Sequence, residues 1–137
     1  MGAQTQIGTA AAKPLVRVRR ILLVDDEPDI VDTFTHLLAL WGHCVQGTVD
    51  PTLAIGIARA FRPELVFLDL KMPDVNGYEL AKLFRADPDL RQTKLVAVSA
   101  FDGPVHRYDS RRAGFDAHLR KPMDVEVLEA VLAQFAD

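Results

Sequence analysis

The chain carries a single cysteine, Cys44, so it can form no internal disulfide and assemble no multi-cysteine metal site. Long apolar runs are missing as well. Stretches such as residues 37–41 are far too short to cross a bilayer. The first residues lack the basic-then-apolar order of a secretory signal, and Gln6 stands where myristoylation wants Ser or Thr. Neither sign of charge dominates: 16 Lys and Arg face 19 Asp and Glu, a formal net charge of −3. That balance gives no general attraction to nucleic acid or to an anionic membrane. Neither GxGxxG nor GxxxxGK[ST] occurs, which ranks a nucleotide-binding domain of those types last. What is present is an ordinary globular composition, 49% hydrophobic and 26% charged over 137 residues. That is enough for one domain with its own core. The expectation is a cytoplasmic domain with no nucleic-acid or membrane partner of its own.

Residues 1–18 read as a tail or linker, rich in Gly, Ala, Thr and Gln and interrupted by Pro14. From residue 19 to 137, strand-like and helix-like signals alternate five times. Ile21-Leu22-Leu23-Val24, Leu65-Val66-Phe67-Leu68 and Leu95-Val96-Ala97-Val98 are continuous apolar runs, as strands covered on both faces require. Residues 43–48 are more polar and predict an edge strand, and residues 117–119 a short last one. Pro28 opens a helix with Ile30, Val31, Phe34, Leu37, Leu38 and Trp41 on one stripe, and Gly42 stops it. Asp50-Pro51 predicts a second helix with Leu53, Ala54, Ile57, Ala58 and Phe61 on its face. A third carries Leu80, Leu83 and Phe84. The helix over 104–113 is mostly polar and should be the least firmly held. Asp124 caps the last, which packs through Val127, Leu128, Val131, Leu132 and Phe135. Strands separated by helices of this length imply βαβ crossovers and a doubly wound parallel sheet.

Polar residues interrupt this scheme at particular places. Asp25 and Asp26 follow the first strand, Asp69 ends the third, Ser99 ends the fourth and Lys121 follows the fifth. In a parallel sheet these positions share the carboxyl edge, where open α/β sheets bind ligands. Carboxylates crowded there repel one another unless a cation intervenes. Oxygen-only ligands suit Mg²⁺ or Mn²⁺, and no His or Cys cluster offers a zinc alternative. A lysine, a hydroxyl, a divalent ion and a spare carboxylate match the needs of phosphoryl transfer. The carboxylate can be the nucleophile.

Four segments carry a family resemblance: Val24-Asp25-Asp26-Glu27-Pro28, the run Leu68 to Gly77 (LDLKMPDVNG), Val98-Ser99-Ala100, and Leu119-Arg120-Lys121-Pro122. Together, in this order, they resemble the response-regulator receiver domain over essentially all of residues 19–137. The resemblance implies a flavodoxin-like α/β fold, five parallel strands in the order 2-1-3-4-5 with five helices. It implies that Asp69 accepts a phosphoryl group from a phosphohistidine on a sensor histidine kinase or histidine phosphotransfer protein. Asp26 and Asp69 would hold Mg²⁺ directly, Asp25 through water, and the Lys71 backbone carbonyl would complete the protein ligands. Lys121, before a cis proline, would contact the phosphoryl group. Ser99 would couple the site to the face of helix 4, strand 5 and helix 5, which controls a downstream partner, an output domain or pairing of two copies. Three residues before the lysine the family usually carries Tyr or Phe as the switch residue, and this chain has His118. Lys71 and Phe101 would flank the path of attacking water. The segment 114–119 and the tail look similar to receivers of hybrid histidine kinases.

Plainer readings stand beside these. Asp25-Asp26 alone could complement a helix dipole, Ser99 alone a strand-end hydroxyl, and Lys121-Pro122 alone a turn. Phe34, Trp41 and Phe61 are expected in the core, and Cys44 as a small buried or edge hydrophobe. His106, Arg107, Arg111 and Arg112 form a basic cluster, favoured as a solvated face over a docking surface for an acidic partner. A haloacid-dehalogenase-type phosphatase would need a second Asp two residues after the nucleophile, where Lys71 stands. An unphosphorylated interaction module would usually lack one of the acids or the lysine, and all are present. A signalling domain that catalyses only its own phosphorylation and dephosphorylation is the reading that remains.

Overall fold

The computed structural model describes residues 17–73, 75–100 and 104–135, with side chains throughout except at 104–108. The expected tail, apart from Arg17 and Val18, lies outside the described residues. So do Phe101 and the side chains of His106 and Arg107.

Five parallel strands form the sheet: β1 (Arg20–Val24), β2 (Cys44–Thr48), β3 (Leu65–Asp69), β4 (Lys94–Ser99) and β5 (Ala117–Arg120). Their spatial order is β2-β1-β3-β4-β5, the order the family resemblance implies. Between and after them run α1 (Pro28–Leu40), α2 (Ala54–Phe61), α3 (Gly77–Ala86), α4 (Pro104–Ala113) and α5 (Val125–Gln134). A two-residue antiparallel bridge, Lys71–Met72 with Val75–Asn76, closes the loop between β3 and α3.

The apolar runs of β1, β3 and β4 split by strand periodicity into two cores. Leu22, Val24, Val66, Leu68, Leu95 and Ala97 face α2, α3 and Phe115. Ile21, Leu23, Leu65, Phe67, Val96 and Val98 face Phe34 and Leu38 of α1 and Leu128, Val131 and Leu132 of α5. Each of these large side chains contributes about 1.5–3 kcal/mol when removed from water. Both faces are covered, so the sheet's interior strands need no polar alternation, and β2 at the edge is the more exposed strand. Cys44 is exposed on that edge.

Local signals set the helix ends. Pro28 occupies the first turn of α1, and Gly42 beyond it takes φ +97, a left-handed conformation that glycine adopts without strain. Asp124 Oδ1 accepts the Val127 N–H at 2.8 Å and so caps α5.

Two expected faces are corrected. Asp50 accepts the Thr52 N–H at 3.0 Å, but it caps a short 3₁₀ turn over Pro51–Leu53. That turn carries Leu53 off the α2 face and leaves it 53% exposed, while Ala54 and Ala58 make the close contact. On α3 the sheet takes Leu80, Ala81 and Phe84, and Leu83 is 56% exposed. Phe34 is buried, whereas Trp41 and Phe61 are half-buried at the margins.

Candidate functional site

The carboxyl ends of β1 and β3 bring three acids together. Asp25, Asp26 and Asp69 each place a carboxylate oxygen within 4.8 Å of the other two. Asp25 and Asp69 are buried and Asp26 is half-buried. Backbone N–H groups fix Asp25 and Asp69. Asp25 Oδ1 accepts the Glu27 N–H at 2.9 Å, and Asp69 Oδ1 accepts the Lys71 N–H at 3.2 Å. The turns after β1 and β3 thus satisfy one oxygen of Asp25 and of Asp69 locally and leave the other turned to the cluster.

Lys121 enters from the end of β5. Its Nζ lies 3.1 Å from Asp25 Oδ2, 3.3 Å from Asp69 Oδ2 and 3.7 Å from Glu27 Oε1. The Lys121–Pro122 peptide is cis. The Lys121 N–H donates to the Ser99 carbonyl at 2.7 Å, which ties the lysine's backbone to the end of β4. Ser99 itself is buried at the same edge.

The electrostatics follow from this crowding. Burial, reinforced by the Asp25 charge, pushes the Asp69 carboxyl up to about 6, against the Lys71 N–H and the Lys121 ammonium, which pull it down. Burial disfavours the Lys121 ammonium, but the charges of Asp69 and Asp25 and their hydrogen bonds outweigh it and raise its pKa. One lysine therefore leaves the three acids short of positive charge. An oxygen-only set of this size is the donor chemistry of a hard divalent cation.

Gly77 and Glu27 belong to the site, although neither was assigned a role in the sequence. A Cβ on Gly77 would stand 2.7 Å from both the Asp69 carbonyl oxygen and the Leu70 Cα. Glycine is what lets the start of α3 lie against the Asp69 loop, with the Gly77 N–H donating to the Leu70 carbonyl at 3.1 Å. Glu27 is exposed, and only the convergence of β1 and β5 reveals its contact with Lys121. His118, on β5 opposite Ala97, lies with Nδ1 3.0 Å from the Ser110 Oγ of α4. Ser110 is buried. Arg111 and Arg112 are exposed, which fits a solvated face and a docking surface alike.

The protein-family model of the response regulator receiver domain matches residues 21–133. The chain belongs to that family. This receiver is 31% identical to Protein RcaC of Microchaete diplosiphon over 82% of its own length and 18% of RcaC. It is 30% identical to Protein PilH of Pseudomonas aeruginosa, over 83% of this chain and 98% of PilH. The chain thus spans under a fifth of one curated relative and nearly all of another. In fold it is similar to the chemotaxis protein CheY4 of Vibrio cholerae, with a TM-score of 0.81 at 24% identity over 86% of this chain and 98% of that one. The receiver is a signalling domain of the two-component type. Among its described residues no helix is long and apolar enough to cross a membrane.

Proposed function

We propose that this receiver is a phosphorylation switch in which Asp69 takes a phosphoryl group from a phosphohistidine of a sensor kinase or phosphotransfer protein. The observation that carries this reading is the setting of Asp69. It is a carboxylate 4% exposed, with two further acids and one ammonium converging on it at the carboxyl edge of the sheet. An Asp69 oxygen forms the new O–P bond as the N–P bond of the donor breaks, and the donor imidazole leaves with that electron pair. With a pKa of about 6, Asp69 is mostly ionised at neutral pH and able to attack.

Asp25, Asp26, Asp69 and the Lys71 carbonyl are the groups that would hold Mg²⁺, or Mn²⁺ in its place. The cation would neutralise the crowded carboxylates and the incoming phosphoryl oxygens. Lys121 supplies a compact ammonium to the phosphoryl group. Doing so draws it from Asp25 and Glu27, so its 3.1 and 3.7 Å contacts are those that phosphorylation would loosen. Ser99 and His118 carry the change toward the α4–β5–α5 face, where a partner protein, an output domain or a second copy would read it. The domain as a whole comprises residues 19–137, preceded by a tail or linker.

Intact-mass measurement after incubation with a small acyl-phosphate donor tests this. The expected result is the mass gain of one phosphoryl group, absent with chelator and absent in Asp69→Asn. Equal labelling of Asp69→Asn and the parent chain would overturn it.

A further inference from the structure

The opposite edge of the sheet carries a second concentration of charge, of the other sign. A cavity of about 560 Å³ opens at the amino ends of β1, β3 and β4, beside the end of α5. Arg17, Arg19, Arg20, Arg62 and Lys94 line it, against two carboxylates, Glu64 and Asp89. Among the described lining residues this is a formal excess of three positive charges, in a chain whose formal net charge is −3. The volume falls in the range of small-molecule sites, about 300–1,000 Å³.

The residues already show how an anion sits there. Glu64 Oε1 lies 3.0 Å from Arg17 Nη1 and Glu64 Oε2 lies 3.6 Å from Arg20 Nη1, so one internal carboxylate is shared by two guanidiniums. The Arg20 Nε donates to the Arg62 carbonyl at 2.7 Å, which orients the Arg20 fork along the rim. Arg62 reaches Asp89 only at 3.9 Å, with both side chains more than half exposed. Ion pairs with exposed partners contribute little and exchange readily with a competing anion. Beneath them Arg19 is 2% exposed and fixed at the base, its backbone N–H donating to His43 Nδ1 at 3.1 Å. The planar guanidiniums of Arg17, Arg20 and Arg62 on the rim are the side chains suited to phosphate oxygens. Burial, then the Arg19 charge, hold the His43 pKa below its ordinary value against the opposing Glu64.

We propose that this amino-edge cavity binds a small polyanion bearing phosphate groups, at a site independent of the Asp69 centre. Glu64 is the internal occupant that such a ligand displaces from Arg17 and Arg20. Another role for the cations is to face the carbonyl ends of α2 and α5, where positive charge complements the helix dipole. That role predicts no saturable site, and so the two are separable.

The test is titration of the full chain with inorganic pyrophosphate in the presence of chelator, followed through its backbone amide resonances. The expected result is saturable shifts at Glu64, Thr93 and Lys94, with those of Asp25, Asp69 and Lys121 unmoved. Charge reversal on the exposed rim, Arg20→Glu or Lys94→Glu, should weaken binding about tenfold or more, and Glu64→Gln should tighten it several-fold. Chain dispersion of the amide spectrum checks that each variant remains folded. Absence of saturation at millimolar pyrophosphate, shifts confined to the carboxyl edge, or affinity unchanged in both reversed variants would overturn the proposal.

Discussion

Asp69 shows how one side chain's environment becomes a property of the fold. Its carboxyl titrates at about 6 in the folded chain against an ordinary 3.8, because burial and Asp25 oppose the charge. Between those values the native state holds a proton that the unfolded chain has released, so stability falls as pH rises through the window and stays lowered above it. By linkage the ionised carboxylate weakens the metal-free fold by about 3 kcal/mol at neutral pH. Asp69→Asn in chelator should therefore raise the urea midpoint near neutral pH, and the gain should vanish at about pH 4. A variant less stable than the parent at neutral pH would show that the crowding is not felt. The acids and Lys121 were legible in the sequence because each follows an apolar run, and strand ends of a parallel sheet share an edge. Glu27 and Ser110 were not legible. Their contacts, with Lys121 and with His118, are made between elements whose approach no local pattern encodes.

At the scale of elements, the site depends on how closely α3 approaches the end of β3. Gly77 starts α3 with no Cβ, and an added methyl would meet backbone atoms of Asp69 and Leu70 at 2.7 Å. Backbone cannot swing aside as a long side chain would, so the start of α3 must shift. Gly77→Ala should cost about 1–3 kcal/mol of stability by chemical denaturation, and the proposed phosphorylation of Asp69 should slow with it. Gly114 meets a softer neighbour, although its φ of +108 strains any L side chain there. There an added Cβ would meet the Arg85 side chain, which bonds the Gly114, Thr93 and Arg91 carbonyls and Asp116. Element positions were readable from apolar periodicity, since buried strands and amphipathic helices differ in period. Which residues of a helix touch the sheet was less so. The stripe Leu80, Leu83 and Phe84 fits a helical period as well as Leu80, Ala81 and Phe84 does, and the folded chain buries Ala81 and leaves Leu83 exposed. Likewise the 3₁₀ turn held by Asp50 and Thr52 removed Leu53 from α2, an outcome of turn chemistry that no count of apolar positions contains.

Across the whole molecule the sheet separates charge along its strands. Acids gather at the carboxyl ends of β1 and β3, and arginines with Lys94 at the amino ends of β1, β3 and β4. The strand order that brings these ends together was carried by the family resemblance, because periodicity fixes where strands lie in sequence and not which are neighbours. At the acidic end, folding brings three carboxylates within 4.8 Å of one another and supplies one lysine, so folding is opposed there until further positive charge arrives. Any cation that binds this cluster and not the unfolded chain must stabilise the fold, by about 1.4 kcal/mol for each tenfold rise in concentration above its dissociation constant. Urea unfolding at increasing Mg²⁺ should show that slope near neutral pH and should not show it in Asp69→Asn at the same concentrations. Protons compete for the same oxygens, and Asp69 takes one at about pH 6. Lowering the pH to about 5 should therefore shift the Mg²⁺ dependence to higher concentration while leaving its limiting slope unchanged. A midpoint that stays flat in Mg²⁺ at neutral pH would mean that these carboxylates, though gathered, do not hold the ion.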